Sequence, residues 1–414
     1  MKHYIFLTNQ YLPKPGATGL CVHYVAKELV ERGHSVNVIC YSEDNDSQTT
    51  IEGINVIKIK VPYFLRDSGN TSKVLLLKRF FSLFYKLIHY TSYPLRSKSL
   101  QNKYEKISHF LINRLGTENT LIVSTYTPIE ACAAMVSIKQ KYPNIKSCFY
   151  STDTLSNEKG NDGFLSEERR TNKGLKWEKL IFKYSDAILI MDCHKKYYLK
   201  QVFNEYHSKM MFSNFPLLRQ IEGVVQRKST DSKIKTFVYA GTLYRYLRNP
   251  SLLCRILEEV NKNTRINALF LGGGDCNDIM ESYEKSSQGA IRYMGMQSHD
   301  IATQYINNAD YLLSIGNVES PMAPSKIFEY MATGKPIIHV FSWKYDPCLE
   351  PLIQYGNALL INDKEKIDIN NVLDFINNSK ILSYDKVSNI FRTSTPSYTA
   401  DLLEKIVFFQ KKKG

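Results

Sequence analysis

Strand-like and helix-like segments alternate through almost the whole chain, which predicts an α/β protein built on parallel sheets. Three observations carry that expectation. The N-terminal segment makes a complete strand–loop–helix–strand unit. A second series of strands separated by helical segments begins near Thr236. Between the two series lies Ser208–Asp231, a polar stretch of little periodicity that carries Asn214-Phe215-Pro216. At 414 residues the chain has the length of two or three domains. The sequence therefore reads as two Rossmann-like domains, residues 1–210 and 211–393, followed by a C-terminal segment, 394–414. Two such domains facing one another make a natural cleft for a ligand.

The first unit is the clearest. His3 to Thr8 reads as a strand, and Asn9 to Gly19 as a loop with two prolines and two glycines. Leu20 to Arg32 has helical spacing in Val22, Val25, Ala26, Leu29 and Val30, and Gly33 ends it. Ser35 to Tyr41 is the next strand. The loop Gly16-Ala17-Thr18-Gly19 then sits at a strand C-terminus and a helix N-terminus, where open α/β sheets bind ligands. Two glycines there let the backbone approach a phosphate or a sugar; an ordinary βα turn reads the same way. Further strands are expected at Thr120–Thr125, Ser147–Ser151 and Ala187–Met191. The second series runs through Thr236–Ala240, Ala268–Leu271, Ala290–Met294, Tyr311–Ser314, Pro336–Phe341 and Ala358–Ile361.

Composition removes several function classes. Hydrophobic content of 43% and charge of 23% are those of an ordinary globular protein. No run of eighteen apolar residues marks a membrane-spanning helix, and Met1–Gln10 lacks the apolar core of a signal peptide, so a cytoplasmic location is expected. The eight cysteines form no Cys-x-x-Cys pair and read as small core residues in a reducing compartment. Cys193-His194 has no further ligands near it in sequence, so no metal site is expected there. The net charge of +14 favours phosphates, nucleic acid or an anionic membrane face. No nucleic-acid-binding motif accompanies it, and a nucleic-acid partner is not expected.

Val74–Tyr90 departs from the α/β pattern. On a helical wheel Lys78, Arg79, Ser82, Lys86 and His89 share one side, and leucines, phenylalanines and Ile88 cover the other. Such a segment suits a helix lying in a membrane interface, and it equally suits a surface helix packed onto its own domain. The basic excess adds weight to peripheral contact with an anionic membrane.

Ser320–Pro336 is the most informative stretch. It reads as a loop, a short helix and a hard stop. Ser325 is placed to cap the helix, Gly334 to end it in a left-handed residue, and Pro336 to forbid continuation. Lys326 and Glu329 lie three apart on one face. A cation near a helix start suits a diphosphate, and a carboxylate one turn on suits the vicinal hydroxyls of a ribose. A capped surface helix with a local Lys–Glu pair is the plain alternative.

In its order of segments the chain resembles the retaining GT-B glycosyltransferases of glycosyltransferase family 4. The residues that carry the likeness are Thr236–Leu252, the Gly-rich turn in Phe270-Leu271-Gly272-Gly273-Gly274-Asp275, the strand Ile291–Met296, the aspartate-marked strand Ala309–Ser314 and the helix after Ser325. The Gly16–Gly19 loop also fits, and the likeness is weakest between Ile51 and Asn119, where acceptor-specific elements lie in that family. The resemblance implies a GT-B fold with a C-terminal helix, Ser397–Lys413, crossing back to the N-terminal domain. It implies that Glu329 holds the donor ribose and that Lys326 with Ser325 holds the diphosphate. Arg248 would neutralise the leaving diphosphate, with Arg245 as neighbour, beside the turn at Gly241. Met296 would contact the base. Gly16 and Gly19 would border the donor.

The chain departs from the family at three places. Thr242 stands where an arginine commonly follows the turn glycine. Pro321 stands at the first of two glutamate positions, with Glu319 two residues off. Tyr150-Ser151-Thr152-Asp153 replaces a strand-end histidine, which makes Asp153 the candidate for a polar contact to sugar or acceptor; a capping role for it is the alternative. The implied reaction moves a sugar from a nucleotide-diphosphate donor, expected to be a UDP-sugar, to a hydroxyl of a lipid-linked or polysaccharide acceptor in bacterial cell-surface glycan synthesis. Arg248, Lys326 and Asp153 are the expected catalytic residues. No metal and no cofactor are expected, because cationic side chains would carry the phosphate charge. Domain closure would align the reactants. A GT-B-fold protein that binds a nucleotide sugar or a partner without catalysis is the competing reading, and a nucleotide-sugar epimerase a third.

Overall fold

A computed structural model describes residues 1–13, 15–61, 92–157, 165–220, 234–318 and 325–408. The segment Val74–Tyr90, read from sequence as amphipathic, and residues 319–324, Pro321 among them, lie outside these. The chain divides into two compact units, Met1–Pro216 with Pro396–Gly414, and Leu217–Thr395. The first boundary falls after residue 210 because a strand at Met210–Ser213 pairs with the first sheet.

The first unit holds an eight-stranded sheet. Its strands are β1 (His3–Leu7), β2 (Ser35–Ser42), β3 (Ser47–Ile51), β4 (Ile54–Lys60), β5 (Thr120–Thr125), β6 (Lys146–Ser151), β7 (Ala187–Met191) and β8 (Met210–Ser213), in the order β3-β4-β2-β1-β5-β6-β7-β8. All neighbours are parallel except the β3–β4 hairpin. The inner strands Thr120–Thr125 and Ala187–Met191 are fully buried runs, as expected of strands covered on both faces. The covering helices include α1 (Ala17–Glu31), α2 (Lys98–Leu115), α3 (Ile129–Lys141) and α4 (Glu167–Tyr184); a short α5 (Lys195–Tyr198) follows β7. Leu111, Ile122, Met135, Phe149 and Phe182 are among the side chains that form the core between them.

The second unit repeats the plan with six parallel strands. They are β9 (Lys235–Ala240), β10 (Ile266–Leu271), β11 (Ile291–Gly295), β12 (Tyr311–Ile315), β13 (Ile337–Phe341) and β14 (Ala358–Asn362), ordered β11-β10-β9-β12-β13-β14. Its helices are α6 (Ser251–Asn261), α7 (Asn277–Ser286), α8 (His299–Asn308), α9 (Lys326–Ala332), α10 (Leu349–Tyr355), α11 (Ile369–Asn378) and α12 (Tyr384–Ile390). In sequence rank the strands run 3-2-1-4-5-6, the doubly wound order, so the direction of winding reverses between β9 and β12. The same reversal falls between β1 and β5 in the first unit.

The last helix, α13 (Pro396–Phe408), belongs to the first unit and packs on α1. Polar clamps fix it there. Arg32 Nη1 donates to Asp401 Oδ1 at 2.8 Å and to Glu404 Oε2 at 2.7 Å, and His34 Nε2 lies 2.7 Å from Glu404 Oε1. These carboxylates hold the Arg32 guanidinium above its ordinary pKa. The resemblance implied a helix returning to this domain, but no sequence signal marked the polar pairs that hold it across 370 residues.

Candidate functional site

In the second unit the polar groups gather where β9 and β12 end, at the reversal point. Gly241 and Thr242 leave β9, and the chain turns back on itself through Tyr244 and Arg248, whose backbones bridge. That turn aims Arg248 inward. Its Nε donates to Asn317 Oδ1 at 2.7 Å and its Nη1 to the Thr242 carbonyl at 3.4 Å. Asn317 lies two residues past β12, so one hydrogen bond joins the ends of the two strands. Burial pushes the Tyr239 hydroxyl up to about 12, and its bond to Arg248 offsets part of that.

The Gly-rich turn after β10 packs directly on this turn. A Cβ on Gly272 would stand 1.9 Å from the Gly241 carbonyl oxygen, and one on Gly274 would stand 1.7 Å from that of Leu243. Both glycines also have positive φ, 153° and 132°. Backbone therefore lies against backbone, and only glycine permits it. Leu243 N donates to the Gly273 carbonyl at 2.9 Å, which ties the two turns together.

Helix α9 is anchored to the same place. Tyr330 is fully buried, and its hydroxyl accepts from Ala240 N at 2.7 Å at the end of β9. Glu329, beside it, is 8% exposed, and Lys326 Nζ donates to Glu329 Oε2 at 2.8 Å. The two expected donor-binding side chains are thus paired with each other. His299, at the start of α8, and Arg219 join them in one electrostatic neighbourhood; burial and Lys326 push the His299 imidazole below its ordinary pKa. Sequence reading missed Arg219, His299 and Asn317, because none sits in a spaced motif and only the tertiary fold collects them.

Other expectations meet different surroundings. Ser325 has helical backbone angles (φ −58°, ψ −26°) and makes no side-chain cap, so it does not cap α9 as its sequence position suggested. Gly334 does end that helix left-handed, at φ 71°. Arg245 points outward: Asp278 of α7 takes its Nη2 with both oxygens, at 2.7 and 2.8 Å. Met296 is 73% exposed and lies over Gly273, where a Cβ would meet its Cε at 3.0 Å.

In the first unit Gly16 is the residue before α1, and Gly19 lies inside its first turn. A Cβ on Gly19 would stand 2.0 Å from the Gln10 carbonyl oxygen, so the loop crosses the helix at that point. Helix α1 accordingly begins at Ala17 rather than Leu20. Thr18 Oγ1 lies 3.2 Å from Thr152 Oγ1, next to Asp153.

Asp153 lines a cavity of about 210 Å³ at the C-terminal ends of β2, β4, β5 and β6, together with Tyr41, Tyr93, Arg96, Tyr126 and Arg170. It caps no helix. His194 Nε2 lies 3.8 Å from its Oδ1, and burial lowers that imidazole's pKa. Glu130 also lines the cavity, and a second buried carboxylate, Glu178, holds the backbone just after Asp153. Glu130, 1% exposed at the start of α3, accepts from the Arg96 and Ser97 N–H groups, each at 2.6 Å. Glu178, 1% exposed on α4, accepts from Leu155 N at 2.8 Å, Ser156 N at 3.3 Å and the Tyr198 hydroxyl at 2.8 Å. Burial raises the pKa of both, and these hydrogen bonds act in the opposite sense for Glu130's backbone donors and for Glu178's.

No protein-family profile and no curated protein matches the sequence. Solved structures do match the fold along nearly its whole length. A sucrose-phosphate synthase from Thermosynechococcus elongatus is similar at TM-score 0.57 and 13% identity, covering 99% of this chain and 95% of its own. A trehalose-6-phosphate structure from E. coli, bound with UDP-2-fluoro glucose, is similar at TM-score 0.57 and 10% identity, covering 99% of both chains. A glycosyltransferase from Rickettsia africae is similar at TM-score 0.59 and 12% identity, covering 99% of this chain and 100% of its own. At such identities the likeness establishes the architecture: two parallel α/β units of the GT-B glycosyltransferase type.

Proposed function

We propose that this protein is a glycosyltransferase that moves a sugar from a nucleoside-diphosphate donor to an acceptor hydroxyl with retention at the anomeric carbon. The observation that carries the reading is Arg248, fixed by Asn317 at the reversal point of the second sheet, where doubly wound folds place ligand phosphates. The E. coli neighbour was solved with a UDP-sugar, which supports UDP as the nucleotide here. In the reaction the bond from the anomeric carbon to the acceptor oxygen forms as the bond to the diphosphate oxygen breaks. The acceptor proton passes to a phosphate oxygen, so no enzymic nucleophile is required. Negative charge grows on the departing diphosphate, and Arg248 and Lys326 stabilise it where it develops. Glu329 binds the ribose hydroxyls through Oε1 while Oε2 keeps Lys326 in place. In this reading the cations serve the role of a metal, and none is needed for transfer.

The acceptor reading rests on the first unit. Its cavity offers Tyr41, Tyr93 and Tyr126 as sugar-stacking faces, Asp153 as a hydroxyl partner, and Arg96 and Arg170 for negative charge. A lipid-linked or glycan acceptor of cell-surface synthesis fits that mixture, with the protein peripheral to a membrane; among the described residues no helix is long and apolar enough to cross one. The test is turnover. Purified protein is offered a panel of nucleotide sugars, and nucleoside-diphosphate release is followed with and without a lipid-phosphate acceptor. Release that depends on acceptor and falls in Glu329→Ala supports the reading. Arg245 held by Asp278, with Thr242 in place of an arginine, favours a second reading, a nucleotide-sugar-binding protein without transfer. Binding without turnover under every condition, unchanged in Glu329→Ala, would establish that alternative.

A further inference from the structure

Three chemically active side chains meet in the second unit with no part in the transfer reading. His339 lies in the middle of β13, and Asp346 and Cys348 lie on the connection from β13 to α10. Each offers one ligand atom, and these atoms all lie within 4.8 Å of one another. All three residues are buried, at 0%, 4% and 0% exposure.

The polar atoms are unsatisfied in a telling way. His339 Nε2 and Asp346 Oδ2 are both buried without a hydrogen-bond partner. They face one another at 3.5 Å, too long for an N–H···O bond. It is close to the separation, about 3.4 Å, between nitrogen and oxygen ligands on one tetrahedral zinc ion. The remaining atoms of the pair are engaged and fix its direction. His339 Nδ1 lies 3.0 Å from Ser314 Oγ, and Asp346 Oδ1 accepts from Cys348 N at 2.8 Å. A histidine that donates through Nδ1 presents its Nε2 lone pair, the usual outer support of a metal-bound imidazole. Gly316 keeps the space open, since a Cβ there would stand 1.8 Å from Asp346 Oδ2 and 3.4 Å from His339 Nε2.

We propose that His339, Asp346 and Cys348 bind one divalent zinc-class ion that staples the β13–α10 connection to the middle of β13. The donor set of imidazole, carboxylate and thiolate suits zinc among common ions. Binding turns the thiol into a thiolate with release of its proton, so the ion's two charges are matched by Asp346 and Cys348 and the buried site is neutral. The widest ligand pair closes by about an ångström, within reach of one side-chain adjustment, to meet zinc's ligand spacing. A water completes four-coordination. The role is structural and independent of the transfer chemistry.

The full-length protein, stripped with chelator, is titrated with cobalt(II) and, in competition with a chromophoric chelator, with zinc. The wild type takes up one ion per chain, and the cobalt form shows thiolate-to-metal charge-transfer absorption. Cys348→Ser loses that absorption while keeping its circular dichroism; His339→Gln weakens zinc binding by roughly tenfold to a hundredfold or more. Zinc at about a hundredfold excess over Kd raises the wild-type melting temperature by roughly 5 °C, and leaves Cys348→Ser unmoved. Folded wild type that binds neither ion, or a charge-transfer band that survives Cys348→Ser, overturns the proposal and leaves the trio a buried His–Asp pair. Activity is no part of this readout, so failure here and failure of the transferase reading are separate outcomes.

Discussion

Replacing Arg248 by alanine tests the proposed chemistry most directly. Two effects are expected, and the structure separates them. The first is structural: the 2.7 Å bond from Arg248 Nε to Asn317 Oδ1 is lost. A hydrogen bond from a charged donor contributes about 1.5–3 kcal/mol, which for a unit of this size lowers the melting temperature by roughly 5 °C. The second is chemical: a donor aimed at developing charge contributes about 3–4 kcal/mol to the transition state, a loss of 10²–10³ in kcat. Arg248→Lys keeps the charge without the planar fork, so it recovers part of the rate and little of the Asn317 bond. Asn317→Ala removes the anchor and leaves the charge, and kcat falls less than in Arg248→Ala. The assay is nucleoside-diphosphate release under saturating donor, with melting temperature measured on each variant. A variant Arg248→Ala that turns over within threefold of wild type (~0.65 kcal/mol at most) while melting lower would assign Arg248 to structure alone and refute its role at the phosphate.

Other consequences can be measured alongside. Glu178→Ala leaves the Leu155 and Ser156 N–H groups buried without their acceptor, at a cost of about 2–4 kcal/mol by chemical denaturation, with acceptor KM rising as the Asp153 loop loosens; an unchanged denaturation midpoint would contradict this. Arg32→Ala removes the clamp on α13 and costs about 1–2 kcal/mol, more at low salt than at high, because its partners are half-exposed. Lys335 Nζ donates to the carbonyls of Ile306, Asn307 and Ala309 at the end of α8, and burial lowers its pKa from 10.5 to about 8. The folded chain then loses this proton before the unfolded chain does. Wild-type stability relative to Lys335→Met should rise from about pH 8 towards pH 10.5, by up to ~1.4 kcal/mol per unit, and a flat difference would count against the assignment. Neutralising Lys78, Arg79 and Lys86 should reduce sedimentation with anionic vesicles; equal binding would remove the membrane contact.

Local chemistry explains which parts of this protein the sequence disclosed. Strand β5 is read at Thr120–Thr125 and found there, because a buried parallel strand is a continuous apolar run closed by polar ends. The β3–β4 hairpin escaped notice. Its turn is Glu52-Gly53, with φ of 49° and 79°, the left-handed pair that Asn-Gly usually announces. Strand β4 alternates Ile54, Val56 and Lys58 with little to mark its neighbour β3, which is exposed along most of its length. Among site residues, Lys326 and Glu329 were legible because their spacing is helical. Arg248 was legible as a residue but not as a geometry: its partner Asn317 is 69 positions away and carries no motif.

The glycines mark the boundary between what a sequence states and what it withholds. Gly272, Gly273 and Gly274 are visible as a turn signal, yet a turn would need only one left-handed residue. The structure supplies the reason for more than one. Two of the three carry backbone across the backbone of the turn that holds Thr242 and Arg248, at separations that no Cβ tolerates. The stiffness this imposes is what lets a side chain as long as arginine be held in one place at the end of β9. Thr242, where the resembled family often has an arginine, then reads differently. Its carbonyl accepts from Arg248 Nη1, so this chain uses the backbone of that position to orient a cation supplied six residues later. A Gly274→Ala variant should therefore lower kcat along with stability while leaving Arg248 itself intact. Loss of stability with kcat unchanged would show that the packed turns do not govern where the arginine points.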